Sequence, residues 1–471
     1  MKKIIFATLI PFSLQAQQDI KASIHNFMQA AVNIYDFNGN ILVSNSDSIL
    51  YQESFGYSDM GNHELLNANS VFDIGKMSEQ FTAAAVLLLA EQNKLQLTDA
   101  IAKYFPDLPY SNVTLHHMIT HTSGLPDYYE IMKDKWTYAR LATNDDMVKY
   151  LAAAKQSLLF EPGSAYDDDF TGYALLASVI EKVSGKSYEA FMHDNIFKPL
   201  QLQNTHVIRG LHVNPEKYTW HTKAQIFDER INKFVRPDSL VLSLFTANIF
   251  YIIEGITGST GISSTANDLL AFRLALKTNK LLKATSVKAM TTPYALKDTA
   301  SKIYNGYGVL VGTNEIGSYI LSEENGNTAA GYFASQIQYT NEDNIIIVLS
   351  NKANDNSFYA GPIAYLLYNK EVVLPYVHKA ITMDSSLLSS YAGKYATPEI
   401  VELVKKDNGL YLQSAKMNAA GEGILMLPES PYKIFASGSK DFQFEFEKDA
   451  QGNIIKTYVI INGLKKEIEK L

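Results

Sequence analysis

Chemistry in this 471-residue chain has to come from hydroxyls, amines, imidazoles and carboxylates, because it has no cysteine. That excludes thiolate nucleophiles, disulfides, Cys-ligated zinc or iron–sulfur clusters and a lipid anchor on an N-terminal Cys. His116, His117 and His121 cluster, with His117 and His121 four residues apart, but no His-Glu-x-x-His run occurs, and the three are not read as a zinc site. Asp167, Asp168 and Asp169 with Glu161 offer hard oxygen ligands. No calcium loop of known spacing accompanies them, so the run reads as a solvated acidic loop. A serine with a lysine three residues later occurs at Ser430/Lys433 and Ser437/Lys440. Pro431 or Gly438 intervenes, and neither serine can open a buried helix. No Gly-x-Ser-x-Gly elbow, phosphate loop or dinucleotide fingerprint stands in a strand-to-helix context. No metal and no cofactor is implied.

The elements that must position any site are legible in outline. Ala31 to Phe37 and Ile41 to Val43 flank Asn38-Gly39, which predicts a hairpin at the start of the folded chain. From Gln80 to Asn93 the run is apolar nearly all round, the pattern of a helix buried in a large domain. Further helices are predicted over 114–121 before Gly124, over 171–184 before Gly185, and over 267–277 after the capping candidates Ser264 and Thr265. After Gly306 the pattern turns to short strands, GYGVLVG, YFASQIQYT and NIIIVLSN, then a helix over 359–368. Strands first, helices in the middle and strands last predict an α+β fold, with an antiparallel sheet built from both ends of the domain and flanked by helices. A polar stretch near Met383-Asp384-Ser385-Ser386 reads as a linker, and the tail from Tyr391 alternates β-like runs with turn signals, as a small all-β domain does.

The stretches FDIGKMSEQFTAAAVLLLAEQNKLQLTDAIAKY, FPDLPYSNVTLHHMITHTSGLPDY, EPGSAYDDDFTGYALLASVIEKVSGKSYEAFMHDNIFKPLQLQNT, GSTGISSTANDLLAF and NGYGVLVG resemble the serine β-lactamase, penicillin-binding DD-peptidase and esterase superfamily, in its class C branch. The resemblance covers roughly residues 25 to 370 in ordered blocks. It implies a β-lactamase-like fold, and the tail beyond Ser385 is similar to the β-rich extensions many such proteins carry. Members open the central helix with Ser-x-x-Lys, the acylated nucleophile and its base. Here the ungapped register puts Lys76 where Ser is expected and Glu79 where Lys is expected. The second motif, Tyr-x-Asn, falls on Asp168 and Phe170, with Tyr166 nearby at a usual aromatic packing site. The third, a Lys or His motif ending in Gly, falls on Glu324-Asn325-Gly326, so Glu324 replaces the cation; a one-residue shift supplies no cation either. His121-Thr122-Ser123-Gly124 resembles a structural segment of the family, not a nucleophile site. Lys76 among Glu79, Asp168 and Glu324 is expected to stay protonated, and so to be a structural cation rather than an amine nucleophile.

Three losses at three separated places predict the family's fold without its chemistry. The cleft is then kept as a binding or interaction surface for a cell-wall peptide or a protein. The alternative is a working hydrolase of the serine-hydrolase type, an esterase, peptidase or β-lactamase-like enzyme using unconventional residues. With 41 Lys and Arg against 49 Asp and Glu the formal charge is −8, the wrong sign for gripping nucleic acid. Lys2-Lys3, the apolar run Ile4 to Leu14 and Ala16 before Gln17 have the pattern of a secretory signal peptide. No later run has the ~20 apolar residues of a transmembrane helix. The expected organisation is residues 1–16 removed, 17–380 β-lactamase-like and 381–471 β-rich, in an exported periplasmic or extracellular protein.

Overall fold

The computed structural model describes residues 11–46, 48–228, 233–236, 244–324, 331–352, 359–397, 400–406, 409–414, 423–439 and 441–471. Two compact units emerge: Asn38–Asp355, and Met1–Phe37 together with Asn356–Leu471.

In the first unit β1 (Gly39–Asn45) and β2 (Ser48–Phe55) form a hairpin. They join a later run made of β3 (Ala295–Asp298), β4 (Ile303–Asn305), β5 (Leu310–Thr313), β6 (Ser318–Glu324), β7 (Phe333–Tyr339) and β8 (Asn344–Ser350). The sheet order is β3-β4-β5-β6-β7-β8-β1-β2, antiparallel throughout, so it is closed from both ends of the domain as the sequence implied. The seam pairs Gly39 with Ser350 and Val43 with Ile346. Every residue of β8 is buried, which explains the unbroken apolar run NIIIVLS: a strand covered on both faces needs no polar alternation.

Helix α1 covers Glu79–Glu91 and follows a tight helical turn over Gly75–Ser78. Phe81, Ala83 to Leu87 and Leu89 are all buried, and Phe81 stacks on Phe272 at 4.0 Å. Phe272 belongs to the helix Ala266–Lys277, whose first turn is capped by Thr265 accepting from the Asp268 N–H at 3.2 Å. The helix Thr171–Ser184 packs on α1 and ends on Gly185 in the left-handed conformation.

Three sequence expectations fail here. Residues 31–35 are not a strand but the end of the helix Pro11–Tyr35. Ile24, Phe27, Met28, Ala31 and Tyr35 are buried at helical spacing, a period that a short Val/Ile/Tyr-rich window hides. Asn38 does not turn a hairpin either; its side chain accepts from the Tyr57 N–H at 2.7 Å and donates to the Tyr57 carbonyl at 2.8 Å. The helix expected over 114–121 stops at Ile119, because His121 takes a left-handed φ of 56°.

In the second unit the tail forms a closed eight-stranded antiparallel barrel spanning residues 393–470, whose ends meet where Tyr395 pairs with Lys470. Closure removes free strand edges, and Tyr395, Leu403, Leu412, Ile434, Phe444 and Phe446 form its core. The linker reading at Met383–Ser386 is corrected: Asp384 caps a short helix over Ser385–Ser390 through the Ser386 N–H at 2.7 Å. Among the described residues no helix is long and apolar enough to cross a membrane.

One glycine joins the sheet to the start of α1. Gly308 has φ +68, and a Cβ there would lie 2.5 Å from the Glu79 carbonyl oxygen. Gly185, with φ +69, has open space around it. Gly308→Ala is therefore expected to cost about 3 kcal/mol, strain plus overlap, against about 1 kcal/mol for Gly185→Ala. Denaturant midpoints of the two variants check this, and equal losses would show that the close approach carries no energy.

Candidate functional site

The first unit contains a cavity of about 570 Å³ lined from the Gly75–Ser78 turn, the start of α1, the 121–129 and 166–170 segments, and the sheet from Lys297 to Ser322. Lys76 lies on its wall with its side chain 17% exposed. Its ammonium contacts Asp168 Oδ1, reaches Glu79 Oε1 at 3.7 Å, and lies 4.8 Å from the centre of the Phe170 ring. Burial alone would favour the neutral amine, but the charges of Glu79 and Asp168 outweigh it and hold the ammonium well above the usual lysine range. A protonated amine has no lone pair for attack.

Asp168 is gripped from two sides: Lys76 on Oδ1 and Lys297 on Oδ2 at 3.0 Å. Burial would raise its pKa, yet Lys76, His121 and Lys297 together hold it well below the usual carboxylate range. Its neighbour Asp169 points inward and accepts from the Gly172 N–H at 2.6 Å. Burial pushes that carboxyl up to about 6. The acidic run is thus split, Asp168 to the cavity and Asp169 to the helix start.

Glu79 is shared. Oε1 accepts from Ser259 Oγ at 2.6 Å, and Oε2 lies 3.1 Å from His121 Nε2. This places a serine, a carboxylate and a histidine in contact, but in the wrong order for a hydrolytic triad. The imidazole has to stand between hydroxyl and carboxylate to relay the proton, whereas here the carboxylate is in the middle. Ser259 is 3% exposed. Ser78, two residues beyond the nucleophile position, is fully buried and accepts from the Ile262 N–H at 3.1 Å. Ser123 is buried and accepts from the Leu125 N–H. The Tyr166 hydroxyl is pushed up by burial, with the Asp168 and Glu79 charges adding to it, so no phenolate base is available.

Of the residues expected at the site, the structure brings Lys76, Glu79, Asp168 and Phe170 together. The backbone of Glu324 ends β6; its side chain and Gly326 lie outside the described residues. Sequence reasoning missed Lys297, Ser259 and the role of His121. Lys297 and Ser259 lie about 130 and 180 residues from their partners with no motif between, and a non-glycine residue with positive φ, as at His121, leaves no mark in a sequence. His116 and His117 serve elsewhere, His116 on the Tyr307 hydroxyl at 3.0 Å and His117 at the cap of its own helix.

The family model described as beta-lactamase matches residues 26–368. The chain belongs to the beta-lactamase family. This beta-lactamase-family chain is 30% identical over 431 residues to penicillin-binding protein 4* of Bacillus subtilis strain 168, covering 89% of the chain and 93% of that protein. Among solved structures it is similar to an octameric penicillin-binding protein homologue from Pyrococcus abyssi, with TM-score 0.66, 21% identity and coverage of 95% of the chain and 99% of that one. It is also similar to EstCE1, a hydrolase with promiscuous acyltransferase activity, with TM-score 0.60, 17% identity and coverage of 75% and 100%. These two likenesses establish the beta-lactamase-like fold.

The ion network makes a stability prediction. Lys76 is mostly buried while Asp168 is 40% exposed, so Lys76→Met is expected to cost about 2 kcal/mol, between the roughly 3–5 kcal/mol of a broken buried pair and the 0–1 kcal/mol of an exposed one. Asp168, depressed, stabilises above about pH 4 and loses this as pH falls; Lys76, raised, stabilises below about pH 10 and loses it as pH rises. A Lys76→Met, Glu79→Gln double-mutant cycle checks the coupling. Additivity within ~0.3–0.5 kcal/mol would show that the two groups do not interact.

Proposed function

We propose that this chain is an exported, catalytically degenerate member of the beta-lactamase family, whose cleft binds a cell-wall peptide or a protein at the envelope. One observation carries the reading. A protonated lysine, neutralised by Asp168 and Glu79, stands where the family resemblance calls for a serine with a free base beside it. Acylation needs a deprotonatable nucleophile facing the cavity, and the serines near this position are buried and engaged. Its relative's name, penicillin-binding protein, and the signal-like start of the chain support an envelope role. On the same reading residues 17–380 form the family domain and 381–471 the β-rich extension.

A second reading, a hydrolase working through unconventional residues, is favoured by the Ser259–Glu79 hydrogen bond of 2.6 Å. Against it, Glu79 already serves Lys76 and His121, and Ser259 is almost wholly inaccessible.

Incubation with fluorescent penicillin and with a fluorophosphonate probe distinguishes the two. No covalent adduct is expected by intact mass. Stoichiometric labelling mapped to any serine between residues 20 and 380, Ser259 first among them, would overturn the degenerate reading. For export, the protein recovered from the envelope is expected to begin near Gln17, and a full-length cytoplasmic product would remove the localisation.

A further inference from the structure

Among the described residues, every charged side chain on the cavity wall already has a partner. Lys76 is held by Asp168 and Glu79, and Lys297 by Asp168. Lys297 leaves β3 where its register against β4 shifts, between Leu296 and Asp298, an irregularity of the kind that re-aims a side chain. Glu79 is shared with Ser259 and His121. Glu254 accepts the His212 N–H at 2.9 Å and contacts the imidazole at Nδ1. Asp73 and Asp127 accept the backbone N–H groups of Gly75 and Tyr129, each at 2.8 Å. Burial pushes both of these carboxyls up, Asp73 to about 6. An ionised ligand of either sign therefore has to compete here with pairs that the protein has already made.

Much of the remaining wall is apolar. The helix Leu244–Ile253 buries Phe250 and Ile252, while Ile249 and Ile253, four residues apart on one face and only half-buried, line the cavity. A helix beside water carries polar residues on its open face. Here that face presents two isoleucines. Ile208, Leu211 and Val309 add to the same surface, and Phe170, 38% exposed, lines it as well. The cavity volume of about 570 Å³ falls within the roughly 300–1,000 Å³ of sites that enclose small organic groups. Half-exposed isoleucines gathered in a concave site of that size mark a place that an apolar group covers.

We infer that the cavity takes an uncharged aliphatic or aromatic group, packed against Ile249, Ile253, Ile208 and Leu211, and disfavours a carboxylate and an ammonium alike. This rests on the binding reading of the same cleft. It goes further by specifying which part of a ligand enters: the apolar part, with any ionised group left outside.

The test is fluorescence titration of the full chain with phenyl-naphthylamine, which is uncharged at neutral pH, and with its sulfonated counterpart anilino-naphthalene sulfonate. Saturable binding of the uncharged dye is expected, at least about tenfold tighter than the sulfonate. Adamantanol, adamantanecarboxylate and adamantylamine then compete for the dye; each is a rigid cage that carries its head group in with it. The alcohol is expected to displace the dye at concentrations at least about tenfold below those of the two ions. Ile249→Gln and Ile253→Gln put an amide into the wall and are expected to weaken dye binding by about fivefold or more, while Leu65→Gln, at a side chain 69% exposed and outside the cavity lining, leaves it unchanged. Absence of saturable dye binding, equal affinity for the sulfonate, displacement by the carboxylate or the amine as readily as by the alcohol, or losses in both isoleucine variants no larger than in Leu65→Gln would overturn the inference. The dye and competitor series is read on the unaltered chain, so it decides the matter even where a variant fails to fold. Acyl labelling of a serine, by contrast, would overturn the degenerate reading and leave a preference for uncharged groups standing, so the two failures are distinguishable.

Discussion

A lysine ammonium at the foot of a buried helix is the constraint on which the rest of this site depends. The turn over Gly75–Ser78 leads directly into α1, where the helix dipole presents its positive end and disfavours a cation by about 0.3–1 kcal/mol. Burial adds a larger desolvation cost. Lys76 is tolerable there because Glu79 lies one turn along the same helix and Asp168 reaches in from the segment before the next helix. Both carboxylates are in turn held by other groups: Asp168 by Lys297, Glu79 by Ser259 and His121.

That network is possible because the scaffold around it is rigid. The seven-residue register between β1 and β8 ties the beginning of the domain to its end, and the all-round burial of α1 fixes the turn that carries Lys76. Gly308 lets the sheet approach the Glu79 backbone more closely than any other residue could. His121 is held at a positive φ that costs energy in a non-glycine residue, and its imidazole is thereby set against Glu79 and the Tyr173 ring, 5.0 Å between centroids. The strain and the ion network support the same geometry.

On the proposed reading, family membership and chemistry separate in this chain. The beta-lactamase model matches 26–368, a span that holds the first unit's sheet, the buried helix α1 and the helices packed around it. The reactive groups are a handful of side chains on that framework, replaceable without disturbing it provided their charges are compensated. Among the described residues the cavity wall carries Asp73, Glu79, Asp127, Asp168 and Glu254 alongside Lys76 and Lys297.

Much of this was legible in the sequence. The helix after Lys76, the helix ending at Gly185, the cap at Thr265 and the strand NIIIVLS follow from local period and capping chemistry, and the ungapped block from Phe72 placed Lys76 and Glu79 at the helix start. The pairing of Lys76 with Asp168 was also foreseeable, because two motif positions of one fold meet at one site. Where local signals misled, a helical period was hidden in a β-branched window, as at residues 31–35. Only the tertiary structure could decide that Lys297 reaches Asp168, that Ser259 and His121 share Glu79, and that Asp73 and Glu254 face one cavity. These contacts join residues tens to hundreds of positions apart. Their existence depends on packing of the whole chain, while sequence pattern reports only the few residues that share a turn of helix or the face of a strand.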